Sequence, residues 1–318
     1  KISETVSETY IAKETNVSVH TVRRIIDDTA RLLTIKPLHD LPEHLCFDEF
    51  KSVKSSDSNM SFIICDSTTH KLVDVVRDRK SYSLKQYFYR FEPKTRLKVK
   101  TISIDMYVPY IQLIKEMFPN AKIIIDPFHI VQALNRELNR TRVRVMNQHR
   151  YKDAKLYRKL KYYWKLILKN PNELQNYKYN RYKLFESFMT TQGIVEYILE
   201  NNPSLKNDYE VVHSLRECIQ DRDYIEFKET IEAATQLDLS PGLKRVLKTL
   251  MTYLPYIQNT CEHPTRTNGP IEGINNKIKV LKRNAYGFKN YYHFRNRIIL
   301  ITKMFGPKQK GIKQQLVA

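Results

Sequence analysis

Glycine is scarce in this sequence, at 7 of 318 residues, while Tyr, Leu, Ile and Lys are abundant; the mixture favours helices with a modest sheet. No apolar run is long enough to span a bilayer, and no signal-peptide pattern opens the chain. Cysteine is sparse too. Cys46, Cys65, Cys218 and Cys261 form no C-x-x-C pair, so spacing gives no zinc site, and reduced, mostly buried thiols in a cytosolic protein are expected. Acidic residues are outnumbered: 34 Asp and Glu against 54 Lys and Arg leave a formal charge of +20. With 42% hydrophobic residues the chain has enough for a real core, which argues against global disorder, and its length suggests two or three domains. An ordered chain this basic points to a polyanionic partner. The basic residues spread along most of the sequence, which favours nucleic acid over an acidic membrane surface.

Residues 5–28 (TVSETYIAKETNVSVHTVRRIIDD) carry an apolar set of Ile11, Ala12, Val17, Val22, Ile25 and Ile26. Asn16, four residues after Ala12, suits a tight turn that needs positive φ, and Ser18 is a ready N-cap for a second helix. The expectation is a helix-turn-helix over residues 1–36 that presents Thr21, Arg23 and Arg24 to DNA. An ordinary helical hairpin would share much of this pattern. Residues 31–42, with Pro37 and Pro42, read as a linker.

From residue 43 to 126 the pattern changes. EHLCFDEF, MSFIICD, KLVDVVRD, VKTISID and AKIIID are short runs rich in Ile, Val and Phe, and they predict five strands. SLKQYFYRF and MYVPYIQLIKEMF predict helices before and after the fourth strand, with Pro109 in the first turn of the second. The order β-β-β-α-β-α-β gives an antiparallel meander, then crossovers, with the first and fourth strands side by side. The fold class is α+β (mixed α/β), and this order is the one seen in RNase H-like nucleases and integrases. A basic, helical stretch follows from about 128 to 260, with breaks expected near Pro171, Pro203 and Pro241. Residues 268–283 predict another helix, capped by Asn268 or Gly269, and the chain ends in a basic tail from about 305.

Asp48 follows HLCF, and Asp105 closes KTISI. Each stands where an apolar strand pattern stops, on strands expected to be neighbours. Two carboxylates held close repel unless a cation lies between them, and hard oxygen ligands suit Mg²⁺ or Mn²⁺. Two such ions about 3.5–4 Å apart can activate a water or a 3′-hydroxyl and stabilise the leaving oxygen in phosphoryl transfer. Glu272 is the candidate third ligand. Asn276, Lys279 and Arg283 share its helix face and are candidates for holding DNA, while Ile271, Ile274, Ile278 and Leu281 form the buried stripe. Asp126 and His129 are candidate accessory residues; capping of the following helix is the plainer role for Asp126. Glu49 is expected on the opposite sheet face from Asp48, and Asp66 in a turn.

Three segments resemble insertion-sequence transposases of the ISL-three family, within the DDE superfamily: FDEF around Asp48, SIDMYVPYIQLIKEMFPNAKIIIDPFHIVQALN from Ser103 to Asn135, and TNGPIEGINNKIKVLKRNAYGFKNYYHFRNRI from Thr267 to Ile298. The resemblance runs from about Tyr10 to Phe305. It implies an RNase H-like catalytic core in two parts, residues 43–135 and 263–305, around a helical insertion over 136–262, with 306–318 as the tail. It carries a catalytic, metal-binding triad onto Asp48, Asp105 and Glu272. Asp126 and His129 resemble an Asp- or Cys-x-x-His element of the related mutator-like transposases. Family members usually begin with a cysteine-rich zinc ribbon ahead of the helical pair. This sequence starts at Lys1 without one, and a truncation or a decayed element is expected.

The function expected is binding of terminal inverted repeats, metal-dependent cleavage at the element ends and joining to target DNA, by a dimer or higher oligomer on DNA with no membrane partner. A DNA-binding protein without catalysis and a general metal-dependent nuclease are the rivals. No Ser stands out in a cationic setting, which argues against a serine recombinase.

Overall fold

The computed structural model describes residues 1–34, 39–53 and 59–304. The chain forms two compact units: Lys1–Ile124 together with the chain from Thr265 onward, and Ile125–Pro264. The basic tail over 306–318 and Pro37 lie outside the described residues. Among the described residues, no helix is long and apolar enough to cross a membrane.

Two serines open the first two helices. The Ser7 side chain accepts from Tyr10 N at the start of α1 (Glu8–Thr15), and Ser18 accepts from Thr21 N at the start of α2 (Val19–Leu33). Between them Asn16 takes the left-handed conformation at φ 53, and its N–H bonds back to the carbonyls of α1. Ile11, Ala12, Val22 and Ile26 form the small core of the pair. Val17 and Ile25, the other members of the apolar set, are exposed. The buried stripe of α2 runs Val22, Ile26, Ala30, and Ile25 falls off its edge. Since α2 runs to Leu33, the first part of the expected linker is helical.

The five expected strands are present as β1 (His44–Lys51), β2 (Met60–Asp66), β3 (Leu72–Val76), β4 (Thr101–Ile104) and β5 (Lys122–Ile125). Three helices come between them: α3 (Ser81–Phe88), α4 (Pro93–Leu97) and α5 (Val108–Met117). The short, proline-led α4 was not anticipated. The spatial order is β3-β2-β1-β4-β5. β1–β2 and β2–β3 pair antiparallel, and β1 pairs parallel with β4. Side chains alternate across this mixed sheet. On one face Phe47 stacks with Phe88 of α3 and packs at a tilt against Phe118 at the end of α5. On the other, Cys46, Phe50, Ile63 and Val75 join the core with two later helices described below. Asp66 is a turn residue: its carboxylate accepts from Thr68 N, Thr69 N and the Thr69 hydroxyl.

The second unit is mostly helical: α6 (Pro127–Gln148), α7 (Ala154–Tyr162), α8 (Trp164–Leu168), α9 (Thr191–Glu200), α10 (Pro203–Asp221), α11 (Tyr224–Ala234) and α12 (Pro241–Glu262). Pro203 and Pro241 each sit at a helix start, and Pro171 opens a single 3₁₀ turn. The expected all-helical reading misses a two-stranded hairpin, β6 (Asn180–Arg181) and β7 (Phe188–Met189), whose strands are too short to show a period. Buried Asp208 of α10 ties three helices together. It accepts from the Thr141 hydroxyl of α6 at 2.7 Å and from Ser240 N at the cap of α12 at 2.9 Å.

The chain then returns to the first unit as α13 (Gly269–Asn284) and α14 (Tyr291–Lys303). Ile271, Ile274, Ile278 and Leu281 are the buried stripe of α13, as their spacing predicts. They pack with Phe294, Ile298 and Ile301 of α14 against the sheet. Leu300, elsewhere on α14, joins the core of the α1–α2 pair. α14 thus packs against both the sheet and the N-terminal helices.

Polar contacts fix that packing. His293 of α14 bonds to Glu8 of α1 and approaches Asp27 of α2 at 3.4 Å; Glu8 also pairs with Arg23 at 3.0 Å. Asn296 donates to Asp27 at 2.8 Å. Burial alone would lower the His293 pKa, but the hydrogen bond and charge of Glu8, joined by Asp27, outweigh it and raise it above the ordinary histidine value. Glu8 is pulled below the usual carboxylate value: burial opposes this, and His293 and Arg23 overcome it. The His293 contribution is therefore complete below the ordinary histidine pKa and lost as pH rises through its raised value. The Glu8 contribution is present above the ordinary carboxylate pKa and lost as pH falls through its lowered value. Proteolytic or hydrogen-exchange protection of residues 1–33 should peak between these limits and fall on the alkaline side. A His293→Gln variant should lack the alkaline fall; an alkaline fall unchanged in it would remove His293 from the docking.

Candidate active site

The parallel pairing of β1 with β4 runs His44↔Thr101, Leu45↔Ile102, Cys46↔Ser103. Continued by two residues, that register sets Asp48 beside Asp105. Adjacent strands lie about 4.8 Å apart, so the two carboxylates start from neighbouring backbones. Asp48 shares its sheet face with Cys46 and Phe50, the face covered by α13 and α14. The sequence reading puts Asp48 at a strand end. In the structure β1 continues to Lys51, still paired with β2, and it is the pairing with β4 that stops short of Asp48. Glu49 lies on the other face, as expected, where it accepts from the Tyr110 hydroxyl and from Arg79 at 2.6 Å.

Helix α13 is pinned along β1 by three side chains spaced seven residues apart. Asn268 donates to Phe47 O and to Asp105 Oδ1, both at 3.2 Å. Asn275 donates to Asp48 Oδ2 at 2.8 Å. Lys282 donates to the carbonyls of Lys51 and Ser52, both at 2.9 Å. Seven residues are nearly two helical turns, so the three anchors fall in one row. Asn268 holds the N-cap position but makes no side-chain cap bond; its amide goes to Asp105 instead. None of these contacts is part of the sequence reading. The only signal was the 268, 275, 282 spacing beside the isoleucine stripe.

Glu272 falls on α13 between Asn268 and Asn275, within roughly 60° of both in projection down the helix. Its side chain is exposed. One helix face therefore offers Asp105 an amide, an exposed carboxylate one turn later, and Asp48 an amide after that. The amide oxygens Asn268 Oδ1 and Asn275 Oδ1 are buried with no hydrogen-bond partner among the described residues. Carboxylate oxygens oriented by amide donors, with further oxygen acceptors buried beside them, form a hard-oxygen set that fits a divalent cation such as Mg²⁺. Asn276, Lys279 and Arg283 are all exposed on the Glu272 side of the helix.

The remaining candidates belong to other helices. Asp126 accepts from Phe128 N at 3.2 Å at the start of α6, and His129 stands in the first turn of that helix. In α2, Arg24 is exposed, Arg23 is tied to Glu8, and Thr21 is half-buried beside the Ser18 cap.

The sequence pattern of a family described as transposase, the DDE type of the ISL3 group, matches residues 45–298. The chain belongs to this family. Two curated relatives are similar to it. A transposase for insertion sequence element IS1001 from Bordetella parapertussis is 27% identical over 286 residues, covering 89% of this chain and 67% of that protein. A Lactococcus lactis subsp. lactis protein named ATP-dependent protease is 35% identical over 130 residues, which is 41% of this chain and 40% of that protein. The protease name thus attaches to a match over less than half of either chain, whereas the transposase match runs nearly the length of this one. No solved structure matches.

Proposed function

We propose that this chain cuts DNA at the terminal inverted repeats of an insertion sequence and joins the ends to target DNA, with Asp48, Asp105 and Glu272 as its catalytic and metal-binding carboxylates. The single observation that carries the reading is the helix α13, whose Asn268 and Asn275 reach Asp105 and Asp48 while Glu272 lies between them on the same side. Family membership and the strand order β3-β2-β1-β4-β5 support an RNase H-like core, with the helical unit as an insertion before the final carboxylate. The two divalent ions of such chemistry, Mg²⁺ or Mn²⁺, would acidify the attacking water or 3′-hydroxyl and stabilise the leaving oxygen. The protein's part is orientation. Asn268 and Asn275 fix the two aspartates, and the α13 stripe holds Glu272 over them. Exposed Lys279 and Arg283, about two and three turns beyond Glu272, hold the phosphates of the strand being cut.

The α1–α2 pair is read as the helix-turn-helix, supported by left-handed Asn16, the Ser18 cap and exposed Arg24. Thr21 and Arg23 stand at the edge of that surface. Two ends must be brought together, so a dimer or higher oligomer on DNA is part of the proposal.

The test is a supercoiled plasmid carrying a mini-element, incubated with the protein and Mg²⁺, with its products sequenced. Breaks at the element boundary and 3′-ends joined to new sites are expected. Breaks spread evenly over the plasmid would make the chain a general nuclease, and end binding without breaks would make it a DNA-binding protein. Lys279→Ala with Arg283→Ala should weaken binding to end and random DNA alike. The log–log salt dependence should flatten by about 0.9 for each phosphate that the variant no longer neutralises. Overlapping slopes with unchanged cleavage would return both residues to a merely solvated face.

A further inference from the structure

Residues 151–189 of the helical unit concentrate two residue types. They hold ten Lys and Arg against three Asp and Glu, and ten aromatic residues. In a folded unit most rings are drawn inside. Here six are exposed: Tyr151 at 89%, Tyr162 at 56%, Trp164 at 39%, Tyr177 at 79%, Tyr179 at 65% and Phe188 at 65%.

The surface carrying these rings is built, not loose. Lys159 is buried, with its ammonium 4.3 Å from the Phe185 ring centroid and 4.0 Å from that of Tyr197. Buried Tyr163 donates its hydroxyl to Lys183 O and packs on Tyr182 and Phe185. These contacts hold the β6–β7 hairpin on α7 and α8. The hairpin then brings cations to the outer rings. Lys183 lies 5.5 Å over Tyr162, and Arg181 pairs directly with Phe188 across the two strands. Tyr177 and Tyr179 flank Lys178 on the approach to β6.

Exposed ring faces set among cations match a ligand with alternating flat apolar faces and negative charges. Unpaired nucleic acid has that chemistry, whereas a duplex hides its base faces in the stack. An acidic protein would satisfy the charges but not the open rings. We infer that this surface binds unpaired DNA, with bases stacked on Tyr162, Tyr177, Tyr179 and Phe188 and phosphates held by Lys178, Arg181 and Lys183. The inference rests on the reading of the chain as a protein that works on DNA ends, where strands separate during cutting and joining.

Trp164 is the one tryptophan of the chain, and it adjoins Tyr163, which packs on the hairpin. Its emission therefore reports on this surface. Titrating the full chain with a single-stranded oligothymidine should quench Trp164 saturably, and a blunt duplex of equal charge should quench it far less. Tyr177→Ala, Tyr179→Ala and Phe188→Ala together should weaken single-strand binding, read by anisotropy of a labelled oligonucleotide, by about tenfold or more. Duplex binding should change less than about twofold. Tyr177→Phe with Tyr179→Phe should keep the affinity. A triple variant that binds the single strand like the parent, or that loses duplex binding equally, would overturn the inference, as would unchanged emission at saturation. End cleavage measured in parallel separates the two readings. Normal cleavage with normal single-strand binding by the variant sinks only this inference. Specific single-strand binding by a parent chain that cuts no element ends sinks only the proposed function.

Discussion

Asp105→Asn is expected to abolish strand cleavage while leaving end binding within a few fold. The substitution keeps the shape of the side chain and exchanges a carboxylate oxygen for an amide, so the sheet and α13 should hold. What it removes is negative charge at the end of β4, next to Asp48 in the continued register of β1 and β4. The proposed cation site would lose a carboxylate ligand, and its Asn268 donor would then face an amide. A drop of at least about a thousandfold, roughly 4 kcal/mol in barrier, is the size to look for. Asp48→Asn and Glu272→Gln should do the same. Equal end binding shows that each variant folds. Near-normal cleavage by Asp105→Asn would remove that residue from the site.

The largest stability effect is expected from Arg297. It is 0% exposed, yet it carries a guanidinium into the core of α14. It donates to Ile2 O, to Glu4 O at 2.9 Å and to Val6 O at 2.8 Å, and so holds the segment leading into α1. Burial lowers its pKa, but the nearby Glu8 supports the charged form. Arg297→Ala would strand three backbone carbonyls and leave a void, a loss of about 3–5 kcal/mol, because a buried acceptor without its donor carries its full desolvation penalty. Arg297→Met would fill the volume but still leave the carbonyls unpaired, so it should recover only part. Thermal unfolding should fall by roughly 10 °C for Ala, with residues 1–33 the first to be cut by protease. A shift under about 1 °C would mean that the N-terminal pair docks without this clamp.

The sheet was legible in the sequence because its strands are runs of β-branched and aromatic residues bounded by polar turns. The adjacency of Asp48 and Asp105 then followed from strand order alone. The buried stripe of α13 was legible because isoleucine spacing reports helix periodicity. What the sequence did not disclose depends on where polar side chains go. Asn268 stands where a capping residue belongs, and only the fold sends its amide to Asp105. Arg297 and His293 sit in YYHFRNRI, a stretch as polar as any exposed helix, and their partners lie nearly the whole chain away at Ile2 and Glu8. Val17 and Ile25 belong to the apolar set of the helical pair, yet both are exposed: Val17 lies in the turn before α2, and Ile25 falls off its buried stripe. The β6–β7 hairpin is set by ring and cation packing rather than by strand propensity.

Metal-directed cleavage of the polypeptide tests the proposed site most directly. With Fe²⁺ in place of Mg²⁺, and ascorbate and peroxide added, hydroxyl radicals cut the chain next to the bound ion. The expected fragments end near Asp48, Asp105 and Glu272, three positions far apart in sequence, and they disappear with excess Mg²⁺ or in Asp105→Asn. Fragments ending elsewhere, or cuts near these residues that Mg²⁺ does not suppress, would contradict a shared metal site on Asp48, Asp105 and Glu272.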